Sequence, residues 1–277
     1  CSHFVRANCE KWKTGCYACP LKGEYPASLL FDRSRQNWQW KKRAFTSLER
    51  LTVVTPSQWL GEGAGESFLR GAARRVIGNG VDLKLFTPGG DTEKTRREMG
   101  IPPGKKLLLS VAAPFDARKG FADALQIADM LREKAVLVMV GLTREQVESL
   151  PRGVIGVERT EGPEALVALY RAADCLLNPT YEDTYPTVNM EALACGTPAA
   201  AYGVCGCPEQ LEAPCGETVP VGNARALAEA ALALCAEKPK ISAACRAKAE
   251  RDFDREKAAK AYTKLYEEVL HEKGKLD

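Results

Sequence analysis

The chain reads as an α/β protein built on a parallel sheet with helices on both faces. Three observations predict this. From about residue 106 onward, short apolar runs that read as strands alternate with helical stretches. One mostly apolar run, Ala173 to Leu177, reads as a buried strand. It feeds an acidic, Pro-containing loop and then a helix start, the place where open α/β sheets bind ligands beyond the carboxyl ends of their strands.

Taken in order, residues 1–50 stand apart, with four cysteines, three of the four tryptophans and many basic residues. Leu51 to Thr55 reads as a strand, and Ser57 is placed to cap a helix running to Leu69. Val76 and Ile77 make a short strand leading into Asn79-Gly80. Pro88-Gly-Gly and Pro102-Pro-Gly bracket a polar segment that reads as a hinge. Strands follow at 106–111, 135–140, 153–157, 174–178 and 198–202. Helices fall near 120–134, 144–149, 163–171 and 189–195 between them, the last ended by Gly196-Thr197-Pro198. Helices near 208–212, 223–236 and 239–249 complete the domain. Ala258, Tyr262, Leu265, Tyr266, Val269 and Leu270 then recur at helical spacing in a terminal helix.

A chain of 277 residues buries a substantial core and fits one large or two modest domains. Its net charge of +3 is too small to argue for nucleic acid. No apolar run approaches the ~20 residues of a transmembrane helix, and no signal peptide is seen. Eleven cysteines, an odd number, with no secretion signal favour reduced thiols in a cytoplasm over a disulfide framework.

The most informative stretch is Asn178-Pro-Thr-Tyr-Glu182-Asp183-Thr184-Tyr185-Pro186-Thr187-Val188-Asn189-Met-Glu191, followed by Ala-Leu-Ala-Cys-Gly-Thr-Pro. Free N–H groups at the helix start favour a phosphate, and a nearby carboxylate holds ribose or sugar hydroxyls. An ordinary strand, solvated acidic loop and helix has the same spelling. The wider pattern narrows the choice. Asp183 and Glu191 have the acid-x7-acid spacing of retaining glycosyltransferases of family 4, which have the GT-B fold. The Ala-Leu-Ala-Cys-Gly-Thr-Pro run and Gly206-Cys207-Pro208-Glu209 resemble the same family. So do Ser110 to Gly120, like its phosphate-binding strand end, and Asn79-Gly80-Val81-Asp82 with Phe86 and Pro88, like its interdomain segment. The resemblance runs from about Leu51 to the C-terminus, and bacterial polysaccharide-assembly members have the most similar wording.

The resemblance implies three parts. Residues 1–88 would be a remnant of the N-terminal, acceptor-side Rossmann-like domain. Residues 89–254 would be the C-terminal, Rossmann-like donor-binding domain. Residues 255–277 would be a helix crossing back to the N-terminal domain, where a helix docked on its own domain is the plainer alternative. The chain starts at Cys1 without Met, and family members carry a whole Rossmann-like domain ahead of that point. A truncated, inactive chain is therefore expected.

For the site, the resemblance places Lys119 on the donor phosphates. The family's usual earlier Arg is missing near Ala112 and Ala113, so Arg118 or another residue supplies the second positive charge. Glu191 would hold the ribose. Asp183 would face the donor sugar near the reacting carbon, with Glu182 taking that role if the loop shifts by one residue. Thr184, Tyr185, Pro186, Thr187, Val188 and Asn189 would form the loop and helix start around the phosphates. The implied reaction is retaining transfer that needs no cofactor, from a nucleotide sugar to a glycan or lipid-linked acceptor in cell-surface polysaccharide synthesis. Electrostatic stabilisation of the leaving diphosphate carries it.

Cys16-Tyr-Ala-Cys19 has the spacing of a zinc knuckle. With Cys1 and Cys9 it would complete a four-thiolate structural zinc site, and His3 is able to replace one ligand. A set of reduced thiols is the other reading, and both stay open. The basic and aromatic segment Arg33 to Arg50 would either rest on an anionic membrane from the cytoplasmic side or pack on the N-terminal domain. Two rival functions remain: a sugar-phosphate transferase or epimerase on a related scaffold, and a non-catalytic zinc-containing binding module. With only His3 and His271 in the chain, histidine-based catalysis has little to draw on.

Overall fold

The computed structural model describes residues 9–23 and 30–273. The chain forms two compact units, Cys1–Gly78 and Asn79–Asp277. The first contains α1 (Lys11–Thr14), α2 (Ser34–Thr46), β1 (Thr52–Thr55), α3 (Gln58–Glu66) and β2 (Ala73–Val76). The strands pair in parallel, from Thr52 opposite Ala73 to Thr55 opposite Val76. Ser57 caps α3 as its sequence predicts, its hydroxyl accepting the Leu60 N–H at 3.3 Å. Trp12, Cys16 and Trp38 form a small core. Trp38 donates its indole N–H to Trp12 O at 2.9 Å and meets Phe68 edge-on.

The second unit contains α4 (Thr92–Glu98), β3 (Lys106–Val111), α5 (Phe121–Leu131), β4 (Ala135–Val140), α6 (Arg144–Glu148), β5 (Val154–Val157) and α7 (Pro163–Ala172). It continues with β6 (Cys175–Asn178), α8 (Thr187–Ala194), β7 (Ala199–Tyr202), α9 (Cys207–Gln210), β8 (Gly216–Val219), α10 (Ala224–Asp252) and α11 (Arg255–Lys273). Six strands form one parallel sheet in the order β5-β4-β3-β6-β7-β8. The expected α/β class with a parallel sheet is therefore what the chain adopts. The central strands are largely apolar because both of their faces are covered; β4, Ala-Val-Leu-Val-Met-Val, is apolar and buried at every position.

Three elements differ from the sequence expectation. The hinge-like segment after Pro88 contains α4, started by Asp91, whose carboxylate accepts the Lys94 N–H at 2.9 Å. β8 was absent from the expected strands; its middle residues Glu217 and Thr218 are polar, and it lies at the edge of the sheet. The two helices expected at 223–236 and 239–249 are one helix of 29 residues, α10, that runs through Pro239. A proline there removes one helical N–H and crowds the carbonyl four residues before it, and packing of α10 against α5 and α8 outweighs that cost. Among the described residues no helix is long and apolar enough to cross a membrane.

Candidate functional site

The sheet order places the site. After β3 the chain moves outward through β4 and β5, then returns to the other side of β3 with β6. The crevice between the carboxyl ends of β3 and β6 is therefore the switch point of the sheet, where doubly wound domains bind ligands. A cavity of about 190 Å³ opens there. Ser110 to Ala113 line it from the end of β3, Asn178 from the end of β6, and Lys119, Asp183 and Pro186 to Val188 from the loops and helix above.

Two loops are fastened to each other to form this cavity. The Tyr181 N–H donates to Arg118 O at 2.7 Å, and the Thr180 hydroxyl to the same oxygen at 3.3 Å. Gly120 makes the approach possible. Its φ is +70°, and a Cβ there would lie 2.0 Å from Pro179 O. The result is an ion pair between residues 64 positions apart: Lys119 Nζ lies 2.5 Å from Asp183 Oδ2. The other Asp183 oxygen accepts the Tyr185 N–H at 3.1 Å, which fixes the carboxylate.

The start of α8 is held from below by buried amides. Asn178 donates to Asn189 at 3.0 Å, Asn189 to Gln210 at 2.9 Å, and Gln210 to Pro186 O at 3.1 Å. Asn189 and Gln210 are fully buried. No side chain caps α8, so its first N–H groups are left to the cavity that Thr187 and Val188 line.

The acids and cations of the acidic loop and its neighbours are thus sorted. Lys119, Asp183, Pro186, Thr187 and Val188 meet around one cavity. Glu191 lies one turn further along α8. Tyr170, itself fully buried, donates its hydroxyl to Glu191 Oε2 at 2.6 Å. Burial pushes the Glu191 carboxyl above its ordinary value, against the hydrogen bonds of Tyr170 and Thr187, which favour the ionised form. Arg118 is turned onto Asp116, with contacts of 2.7 and 3.0 Å. Burial pushes the Asp116 carboxyl up, yet the Arg118 guanidinium and two backbone N–H groups outweigh it and hold it below its ordinary value. Arg118, Glu182, Tyr185 and Glu191 are outside the cavity lining, as are Thr184, which is exposed, and Asn189, whose amide serves the relay. Tyr185 packs edge-on against Phe253, and burial pushes its phenol up to about 12.

Sequence reasoning missed Tyr170, Asn178, Gln210 and a clamp formed by Asp123. The Asp123 carboxylate accepts both the Tyr181 hydroxyl, at 2.8 Å, and the Tyr202 hydroxyl. A polar Asn closing an apolar strand was the one visible signal; the other partners come together only in three dimensions. One Asp-x-Asp spelling also occurs, Asp252-Phe253-Asp254. Its carboxylates pair with Lys248 and Arg251 and accept the Glu256 N–H.

Of the four candidate zinc ligands, Cys1 lies outside the described residues, as does His3. Cys16 is buried, and Cys9 and Cys19 are half-buried. Burial pushes the Cys16 thiol up. Among the described residues no group of three or more potential ligands forms a metal cluster.

A six-stranded parallel sheet with a cavity at its switch point defines a doubly wound type of domain. Residues 91–252 match the family described as Glycosyl transferases group 1, and the chain belongs to that family. Relatives include D-inositol 3-phosphate glycosyltransferases from Corynebacterium efficiens and Corynebacterium jeikeium. The first is 36% identical over 153 residues, 48% of this chain and 35% of that protein. The second is 35% identical over 155 residues, 49% of this chain and 37% of that protein. The match thus spans little more than a third of these relatives. Among solved structures, sucrose-phosphate synthase from Thermosynechococcus elongatus superposes with a TM-score of 0.74 at 24% identity, covering 92% of this chain and 64% of that one. Anabaena HepE in complex with UDP and glucose gives 0.67 at 18% identity, covering 78% and 62%. These likenesses support the GT-B-type fold.

Proposed function

We propose that this chain carries the donor-binding part of a retaining glycosyltransferase. That enzyme would move a sugar from a nucleotide donor to a glycan or lipid-linked acceptor in cell-surface polysaccharide synthesis. The observation that carries the reading is the Lys119–Asp183 pair at 2.5 Å beside the uncapped start of α8. A donor diphosphate needs a cation and aimed N–H groups, and both stand at the switch-point cavity. In this reading Lys119 and the α8 amides hold the diphosphate and stabilise it as it leaves. Asp183 then releases Lys119 and turns to the sugar, and Glu191 takes the ribose hydroxyls. The solved complex of HepE with UDP and glucose is consistent with a nucleotide-sugar donor on this fold.

For the acceptor side, Phe31, Trp40, Phe45 and Leu48 are exposed around a segment carrying Arg33, Arg35, Lys41, Lys42 and Arg43. An apolar and cationic surface of this kind suits peripheral contact with an anionic membrane that presents a lipid-linked acceptor.

Saturation-transfer NMR with UDP-, GDP- and ADP-sugars tests the donor reading. Signals from base, ribose and sugar protons of one class are expected. Absence of signal from every class, on a folded chain, contradicts it.

A further inference from the structure

A second cavity, of about 350 Å³, lies at the opposite end of the strands, near the amino end of β6. Asp174 precedes β6 and Asn178 ends it, so roughly 13 Å of strand separates this cavity from the donor crevice. Its walls come from the Pro88–Gly90 turn, α4, the end of α7 and the middle of α10.

Three cations line it: Arg96, Arg171 and Lys238. Arg96 is accounted for. It pairs with Asp174 at 3.1 Å and donates to the Ala172 and Lys105 carbonyls. Asp174 is equally spent, on Arg96, on the Leu107 N–H at 2.7 Å and on Lys106 at 3.8 Å. Arg171 and Lys238 are different. Arg171 donates its Nε to Thr87 O at 2.6 Å. Lys238 donates to Arg171 O at 2.9 Å and to Ala173 O. Both side chains thus reach only carbonyls, and among the described residues neither makes an ion pair with a carboxylate. Glu93 stands exposed at the rim. A half-buried cation with no carboxylate in direct contact is costly to hold, and an anion joining it lowers that cost. Consistent with that, burial pushes the Lys238 ammonium below its ordinary value, more than Asp174 restores.

The remaining wall leaves room for such an anion. Gly90 has φ +77°, and a Cβ there would come within 3.2 Å of Arg171 Nη1, so the glycine keeps the guanidinium face open. Ser242 adds a hydroxyl to the lining. Two cations and a hydroxyl around a cavity larger than bare phosphate match an oxyanion on a small organic body. We propose that this cavity binds a small phosphorylated metabolite through Arg171, Lys238 and Ser242, as a second site distinct from the donor crevice.

The test uses inorganic phosphate as probe and calorimetry as readout. It is run on Lys119→Ala protein, so that the donor crevice no longer contributes its lysine. Saturable phosphate binding should persist there, and adding Arg171→Gln or Lys238→Gln should weaken it tenfold or more. Ser242→Asp should cause the same loss by charge repulsion, and it keeps the test readable if circular dichroism shows that a cation variant has not folded. No saturable binding by Lys119→Ala protein, or binding that survives every folded variant of the three, overturns the proposal.

Discussion

Lys119 Nζ and Asp183 Oδ2 lie 2.5 Å apart, although one residue follows β3 and the other follows β6. The contact joins the loops of two neighbouring strands at the switch point. On the proposed reading Lys119 is the cation that meets a donor diphosphate, and the Asp183 carboxylate would compete with that diphosphate for one ammonium.

That competition has a measurable sign. Asp183→Asn should bind nucleoside diphosphate about three- to tenfold more tightly, roughly 0.7–1.4 kcal/mol, because the ammonium is freed and a like charge is removed. On the proposed reading, transfer to acceptor should fall at the same time. Calorimetry with the diphosphate checks the first part, and weaker binding by the variant contradicts it.

The Glu191 carboxyl should titrate above the ordinary glutamate value, since burial opposes its ionisation. Tyr170→Phe removes a hydrogen bond that favours the ionised form, so the midpoint should climb further. The linked effect on stability follows. The folded value lies above the unfolded one, so the contribution of Glu191 is full below the unfolded value and is lost as pH rises through the folded value. Glu191→Gln should flatten that part of the stability profile. Carbon-detected NMR titration, with unfolding midpoints across the same range, reads both; a midpoint lowered by Tyr170→Phe contradicts the account.

The amide relay beneath α8 should be costly to break. Asn189→Ala removes the acceptor of the Asn178 amide and the donor to the Gln210 amide oxygen, both of them buried residues. A loss of about 1–3 kcal/mol is expected from leaving buried polar groups unpaired. Urea unfolding measures it, and a loss within error of zero would show that water replaces the relay.

Gly120→Ala should be worse. The new Cβ meets Pro179 O at 2.0 Å and forces a left-handed alanine. The left-handed backbone alone costs roughly 1–2 kcal/mol, and the clash adds to it by pushing the two loops apart. Nucleotide binding should therefore fall together with stability. Stability unchanged in thermal unfolding would mean that the loops are not fastened at this point.

Much of this was legible in the sequence. The parallel sheet showed because its central strands are built on apolar runs, unbroken in β4 and spanning Leu107 to Leu109 in β3. The acidic loop was legible because Asp183 and Glu191 keep their spacing across a proline and a helix start. β8 was not, since a four-residue edge strand with Glu217 and Thr218 in its middle has no apolar signature. Pro239 misled for a related reason: local propensity breaks a helix there, while burial of Leu227, Ala231, Leu234, Ile241 and Cys245 holds it together. The partners that orient the site were invisible because they are distant in sequence. Tyr170 reaches Glu191 across 21 residues, and Tyr202 reaches Asp123 across 79. Arg118 illustrates a limit of spacing arguments: it sits beside Lys119 in the chain, yet its guanidinium turns onto Asp116.

The central claim is that the crevice between β3 and β6 holds a nucleotide-sugar donor through Lys119 and Glu191. Calorimetric titration with UDP, GDP and ADP, on the wild-type chain and on Lys119→Ala and Glu191→Ala, tests it most directly. One nucleotide class should bind, and both variants should weaken it at least tenfold, about 1.4 kcal/mol. Binding that is unchanged in both folded variants would place the nucleotide elsewhere and contradict the account.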